Sequence, residues 1–233
     1  EVGFNCIDVH MTDLISARHI LAEFEGLVAC GGFSYGDVLG AGGGWANSIL
    51  FNKDLRQQFG NFFHNENVFS LGVCNGCQTL SLLKSLIPGA TNWPDFKRNI
   101  SEKFEARLVQ VSVKESPSIF FKGMQNSIIT IPVAHGEGRV DASMSVISEL
   151  NNNHYTTITY SNNEGELTED YPANPNGSLN GIAGVTNNTG TVTIMMPHPE
   201  RAFLADQYSW SPDEWTHYSP WIKFFLNARD FID

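Results

Sequence analysis

The sequence predicts an α/β domain: an open, mostly parallel sheet of flavodoxin-like type with helices on both faces, extended by a strand-rich second half. Three observations carry this. Compact apolar runs at 27–30 and 68–73 each end at glycine or cysteine and are followed by helix-period segments, the pattern of parallel strands joined by crossover helices. After about residue 105 apolar runs recur with little helix between them, as in antiparallel strands. The chain has 233 residues, 42% of them hydrophobic, enough to bury a substantial core.

In chain order, Cys6-Ile7-Asp8-Val9 reads as a short strand. Thr12 reads as the cap of a helix carrying Leu14, Ile15, Ala17, Ile20 and Leu21. Leu27 to Cys30, halted by Gly31-Gly32, has the form of a buried parallel strand. Ile49, Leu50, Leu55, Phe59, Phe62 and Phe63 occupy the apolar positions of a long amphipathic stretch. Val68 to Val73 is the next buried strand, and Thr79 to Ile87 is helical until Pro88-Gly89 stops it. Strands follow at 108–113, 127–134, 156–160, 182–186 and 191–196. Ser219-Pro220 caps a last helix whose packing face is Trp221, Ile222, Phe225, Ala228 and Ile232. No repeat or low-complexity linker divides the chain, so residues 1–233 read as one domain. The start at Glu1, without an initiator Met, reads as a fragment cut from a longer chain.

Charge and cysteine content narrow the class. Acidic residues number 25 against 14 basic, a net charge of −11, which argues against a nucleic-acid partner. No apolar run approaches the ~18 residues of a membrane helix, so no membrane partner is expected. Four cysteines are too few for a disulfide scaffold. Cys6 and Cys30 fall in apolar stretches where buried, reduced thiols are common, which points to a reducing, cytoplasmic setting. The sequons at Asn99, Asn176 and Asn187 are chance triplets of an asparagine-rich chain. Residues 97–107 read as a solvated mixed-charge face, and Tyr171 to Gly177 as a turn-rich loop.

The chemistry concentrates in Leu71-Gly72-Val73-Cys74-Asn75-Gly76-Cys77-Gln78. A buried strand runs into Cys74 and a helix starts directly after it, the strand–turn–helix setting of a nucleophile elbow in its cysteine form. Gly72 and Gly76 relieve crowding at such a turn, and the helix N-terminus favours a thiolate. Cys74 to Cys77 is also a C-x-x-C, so a dithiol redox centre stays open, while no second pair completes a zinc site. The second signal is Met195-Met196-Pro197-His198-Pro199-Glu200-Arg201. Strand alternation could put Glu200 on the same side as His198, where it would hold the imidazole tautomer. With an elbow cysteine, this makes a nucleophile–base–orienter set. Two glycine-rich loops, 30–37 and 134–139, follow strands and reach the sheet edge where such folds bind ligands. His135 in the second competes with His198 as base.

Taken together, GGFSYGD, GVCNGCQ, AHGEGR, YPANPNGS and MMPHPERAF resemble the class I (triad) glutamine amidotransferases, over nearly the whole chain. Within that class they are most similar to the C-terminal glutaminase domains of the large, single-chain phosphoribosylformylglycinamidine synthases. The resemblance implies hydrolysis of the glutamine side-chain amide, with ammonia passed to an ATP-dependent synthetase domain of the same longer polypeptide that forms formylglycinamidine ribonucleotide in de novo purine synthesis. It implies Cys74 as nucleophile, His198 as base and Glu200 as its orienter. It also implies an oxyanion hole from the Gly32 and Asn75 amides, and substrate contacts from Gln78, Gly136 and Glu137. No cofactor is implied for this chain; ATP and Mg belong to the synthetase part. The family's domain starts with one further strand, expected beside the Cys74 strand and absent here, and Gly43 stands where the family has an acidic residue. The competing readings are a cysteine hydrolase of γ-glutamyl substrates, a redox domain, and a binding module without turnover.

Overall fold

The computed structural model describes residues 1–233, the side chain of Leu39 excepted. In chain order the elements are α1 (Met11–Ile15), β1 (Gly26–Ala29), α2 (Gly43–Leu50), α3 (Lys53–Phe63), β2 (Phe69–Val73), α4 (Asn75–Leu82), β3 (Asp95–Lys97), β4 (Glu105–Val113) and β5 (Ile128–His135). They continue with β6 (Arg139–Asp141), α5 (Met144–Asn152), β7 (Thr156–Ser161), β8 (Ile182–Thr186), β9 (Val192–Met195) and α6 (Ile222–Ile232).

A seven-stranded sheet runs β1-β2-β9-β8-β7-β4-β5. The parallel character holds where the site lies, in β1, β2 and β9. From β9 onward the pairings are antiparallel, so the strand-rich second half completes the same sheet. β3 and β6 form a separate antiparallel pair. Every residue of β2 is buried, as expected of a strand with neighbours on both sides.

α3 follows from its sequence. Leu55, Phe59, Phe62 and Phe63 recur at helical spacing and are buried, and the Asn52 side chain accepts from the Asp54 and Leu55 amides at 3.0 and 3.1 Å. α4 packs on β1, β2 and β9. α6 is anchored by aromatic side chains: Phe120 stacks on Phe224 with centroids 4.9 Å apart, and Phe69 meets Phe120 edge-on at 5.5 Å. Each buried ring contributes about 1.5–3 kcal/mol. No helix is long and apolar enough to cross a membrane.

Several expectations are corrected. Residues 6–9 form no strand, and the first helix spans only Met11–Ile15, capped by the His10 side chain, not by Thr12. Cys6 and Cys30 are exposed, the first in no strand and the second just past the end of edge strand β1; all four cysteines are free thiols. The amphipathic stretch divides into α2 and α3, since Asn52 takes an extended backbone and caps the second helix. Helix α5, closed over Ile147 and Leu150, was not expected. In α6 it is Phe224, not Phe225, that is fully buried. Glu105, expected on a solvated face, is buried and pairs with Arg107. The strand before Cys74 has both neighbours; the open edge is β1, where Val28 is 53% exposed.

Candidate active site

The turn at Cys74 is built by close backbone approach. Cys74 ends β2 with φ 53° and ψ −109°, a conformation costing a non-glycine residue about 1–3 kcal/mol, and α4 begins at the next residue. Its amide is held by the Met195 carbonyl at 2.9 Å. Helix α4 then passes so near β1 that a Cβ on Gly76 would lie 1.8 Å from the Ala29 carbonyl oxygen. The strained elbow therefore places the thiol at the carboxyl ends of parallel strands, where this fold class binds ligands.

His198 follows β9, the strand hydrogen-bonded to β2, and its amide donates to the Pro132 carbonyl at 2.9 Å. The imidazole is fully buried, and its Nδ1 donates to Glu200 Oε1 at 2.6 Å. Strand alternation is not the device that joins them. A short 3₁₀ turn, Pro199–Arg201, brings Glu200 back onto the ring, and Arg201 Nε lies 3.5 Å from the same carboxylate oxygen.

Cys74 and His198 converge on Gly31. A Cβ there would lie 2.8 Å from His198 Cε1 and 3.3 Å from Cys74 Cβ, so only hydrogen fits between them. Burial opposes the imidazolium, but hydrogen bonding and charge from Cys74 and Glu200 outweigh it and raise the His198 pKa to about 9. His198 Nε2 has no hydrogen-bond partner within ordinary distance among the described residues. The Cys74 sulfur instead lies 3.6 Å from the Ala134 carbonyl.

His135 sits in a different setting from His198. Burial lowers its pKa to about 3, with the nearby His198 charge adding to the effect, and its Nε2 takes a hydrogen bond from Asn176 at 2.9 Å. Cys77 is fully buried, and burial pushes its thiol well above the ordinary range, an unfavourable setting for a dithiol redox partner. Among the described residues no three His, Cys, Asp or Glu side chains gather as a metal site would need.

The remaining expected residues lie around the same point. The Asn75 amide opens α4, and Gly32, in the left-handed region with φ 105°, lies in the loop after β1. Neither amide makes a hydrogen bond among the described residues. Gln78 Nε2 donates to the Glu137 carbonyl, and the Glu137 carboxylate accepts from the Ala41 amide at 3.0 Å. Gly136 is held through its carbonyl by the Asn99 amide at 2.9 Å. Gln78 and Glu137 also line a cavity of about 210 Å³ with Gly40, Ala41 and Lys97. A cavity of about 600 Å³, between residues 114–125 and α6, contains none of the expected site residues.

Two structural supports around the candidate site escape the sequence reading. Asp37 accepts from the Ser34 amide at 2.6 Å, the Ser34 hydroxyl at 2.7 Å and the Gly42 amide at 3.2 Å. Asn75 Nδ2 joins them, 3.1 Å from Asp37 Oδ2, and so staples the glycine-rich loop to the elbow helix. The Ser34-x-x-Asp37 spacing, typical of side chains that fold a turn onto backbone amides, was the available signal. Asn176, in the loop read only as turn-rich, is the other.

The fold is shared with known proteins. A chain of the PurLQS structure from Thermotoga maritima is similar to this one at 24% identity, over 92% of this chain and 83% of that one, with a TM-score of 0.68. The glutaminase domain of Trypanosoma brucei CTPS, solved with bound acivicin, is similar at 14% identity over 96% of this chain and 80% of that one, with a TM-score of 0.52. Both likenesses are of fold. The CobB/CobQ-like glutamine amidotransferase domain matches residues 1–232, nearly the entire length. A cysteine elbow facing a carboxylate-held histidine, on a sheet of this topology and matched end to end, places the chain in the CobB/CobQ-like glutamine amidotransferase domain family.

Proposed function

We propose that Cys74 hydrolyses the side-chain amide of glutamine through a cysteinyl thioester, with His198 as acid–base and Glu200 as its orienter. The observation that supports this is that Cys74 and His198 both close on Gly31, with Glu200 bonded to Nδ1 of the ring. The thiol proton rests on His198, whose pKa near 9 retains it at neutral pH, and the Cys74 thiolate attacks the amide carbon. The resulting oxyanion is received by the Gly32 and Asn75 amides, each such donor being worth about 3 kcal/mol. The imidazolium gives its proton to the leaving nitrogen, ammonia departs and the γ-glutamyl thioester remains. His198 then takes a proton from water, the hydroxide cleaves the thioester, and glutamate leaves as the proton returns to the thiol.

The ammonia is destined for an ATP-dependent synthetase domain that converts formylglycinamide ribonucleotide to the amidine, with ATP and Mg bound there. The five motifs of the sequence support this finer reading, and so does the fold likeness to a PurLQS chain. A cytoplasmic setting fits the four free thiols. Hydrolysis of larger γ-glutamyl substrates is disfavoured by the enclosure of Cys74, which is 7% exposed.

The test is glutamate release from glutamine by the full-length protein, with mass analysis of the adduct left by a glutamine-like electrophile. Cys74→Ala should abolish release, Cys77→Ala should keep most of it, and the adduct should sit on residue 74. An essential Cys77 would transfer the case to dithiol chemistry.

A further inference from the structure

The proposed chemistry leaves a buried polar cluster unused. His135, Asn176 and Tyr160 come from β5, the loop before β8, and β7, and all three are buried. Asn176 Nδ2 donates to His135 Nε2 at 2.9 Å and to the Gly138 carbonyl at 2.8 Å, and lies 3.2 Å from the Tyr160 hydroxyl oxygen. Its carbonyl accepts from the Ser178 hydroxyl at 2.7 Å and the Ser178 amide at 3.0 Å. A cluster this polar is costly to bury unless each group is satisfied, and an apolar filling would be simpler.

What the cluster holds is the segment from Ala134 to Gly138. Pairing of β5 with β4 ends at Glu105 opposite His135, so the backbone beyond His135 has no β4 partner. Yet this segment forms one wall of the Cys74 site. The Ala134 carbonyl faces the sulfur, the Glu137 carbonyl takes Gln78, and the Glu137 carboxylate takes the Ala41 amide. Asn99 secures the segment's backbone from one side through the His135 carbonyl and the Gly138 amide. Asn176 secures it from the other, through the His135 ring and the Gly138 carbonyl.

We infer that Asn176, acting through His135 and Gly138, is a positioning residue for the Cys74 site, fixing the wall against which the substrate is held. The inference rests on the glutaminase reading for its substrate and on the contacts above for its geometry. Once Asn176 no longer donates, the wall relaxes. Glutamine is then held less well, while the thiol becomes more open to a small, indifferent electrophile.

The experiment compares Asn176→Asp and Tyr160→Phe with the unaltered full-length protein. Asn176→Asp keeps the volume and replaces donors by acceptors; Tyr160→Phe removes one acceptor and keeps the ring. Expected are a roughly tenfold loss of kcat/KM for glutamine in Asn176→Asp, mostly through KM, and a roughly threefold loss in Tyr160→Phe. Alkylation of Cys74 by iodoacetamide should accelerate in both while Cys77 stays protected. Unchanged turnover and unchanged Cys74 alkylation in folded variants overturn the inference. So does parallel acceleration at Cys74 and Cys77, which reports general loosening. Should Asn176→Asp fail to fold, Tyr160→Phe decides alone. If the unaltered protein releases no glutamate, the glutaminase reading fails, and the Cys74-against-Cys77 comparison still decides the positioning role.

Discussion

His198 and Glu200 form a pair of unequal exposure: the ring is wholly buried, while the carboxylate 2.6 Å from its Nδ1 is 44% open to solvent. The Glu200 charge, which with Cys74 supports the imidazolium, therefore reaches it from the protein surface through one short hydrogen bond. Solvent screens that charge more than it would a buried one.

Replacing Glu200 by Gln should accordingly weaken the base without deleting it. Burial opposes the charge, and of the influences that raise the His198 pKa to about 9 those from Cys74 remain while the two from Glu200 are lost. The His198 titration midpoint, followed by NMR, should fall toward the ordinary value near 6.5. Glutaminase turnover should drop by about 10²-fold, less than in Cys74→Ala.

Stability should decline on both sides of neutrality, for opposite reasons. His135 has its folded pKa lowered to about 3, so the unfolded chain binds the extra proton as pH falls from 6.5 toward 3, and stability is lost over that window. His198 has its folded pKa raised to about 9, so its contribution is complete below 6.5 and fades as pH climbs through 9. Urea midpoints measured between pH 4 and 10 test this. His135→Gln should flatten the acid side and leave the alkaline side in place.

Gly76→Ala should destabilise the protein by about 2–4 kcal/mol, because its methyl group would meet the Ala29 carbonyl oxygen at 1.8 Å and α4 would have to leave β1. Thermal unfolding measures the loss. Gly43→Ala, where a Cβ meets nothing within 4 Å, is the matched control and should stay within about 1 kcal/mol of the original.

Asp37→Ala should release the glycine-rich loop that carries Gly32. The Ser34 amide and hydroxyl and the Gly42 amide lose their acceptor, and Asn75 Nδ2 keeps only Ser34 Oγ, at a cost of about 2 kcal/mol in stability. KM for glutamine should rise several-fold, and Ser34→Ala, which removes only one of these bonds, should have a smaller effect in the same direction.

The parts of the fold legible in the sequence are those whose burial pattern is local. β2 is apolar because both its edges and both its faces are covered, and β8 matches its expected bounds at 182–186. Residues 6–9 look equally apolar and form no strand, because what decides a strand is a partner, and no local pattern names one. The site was legible where chemistry is written in residue type: Cys74 between glycines, His198 two residues before Glu200. What stayed hidden were supports made by ordinary polar residues brought together by topology. Asn176 and His135 are 41 positions apart and meet only after β5, β7 and β8 have paired. The same holds for His198 and Pro132, whose backbone bond joins segments from distant parts of the chain.

The position of β9 has a consequence for biosynthesis. This strand is late in the chain, yet it separates β2 from β8 and is the sole link between the two arms of the sheet. A growing polypeptide that has not yet reached residue 192 therefore holds a two-stranded piece and a four-stranded piece with no strand pairing between them. Until that closing strand emerges from the ribosome, Cys74 and His198 stay apart, because the histidine follows β9 directly and meets the sulfur only once the chain has passed residue 198.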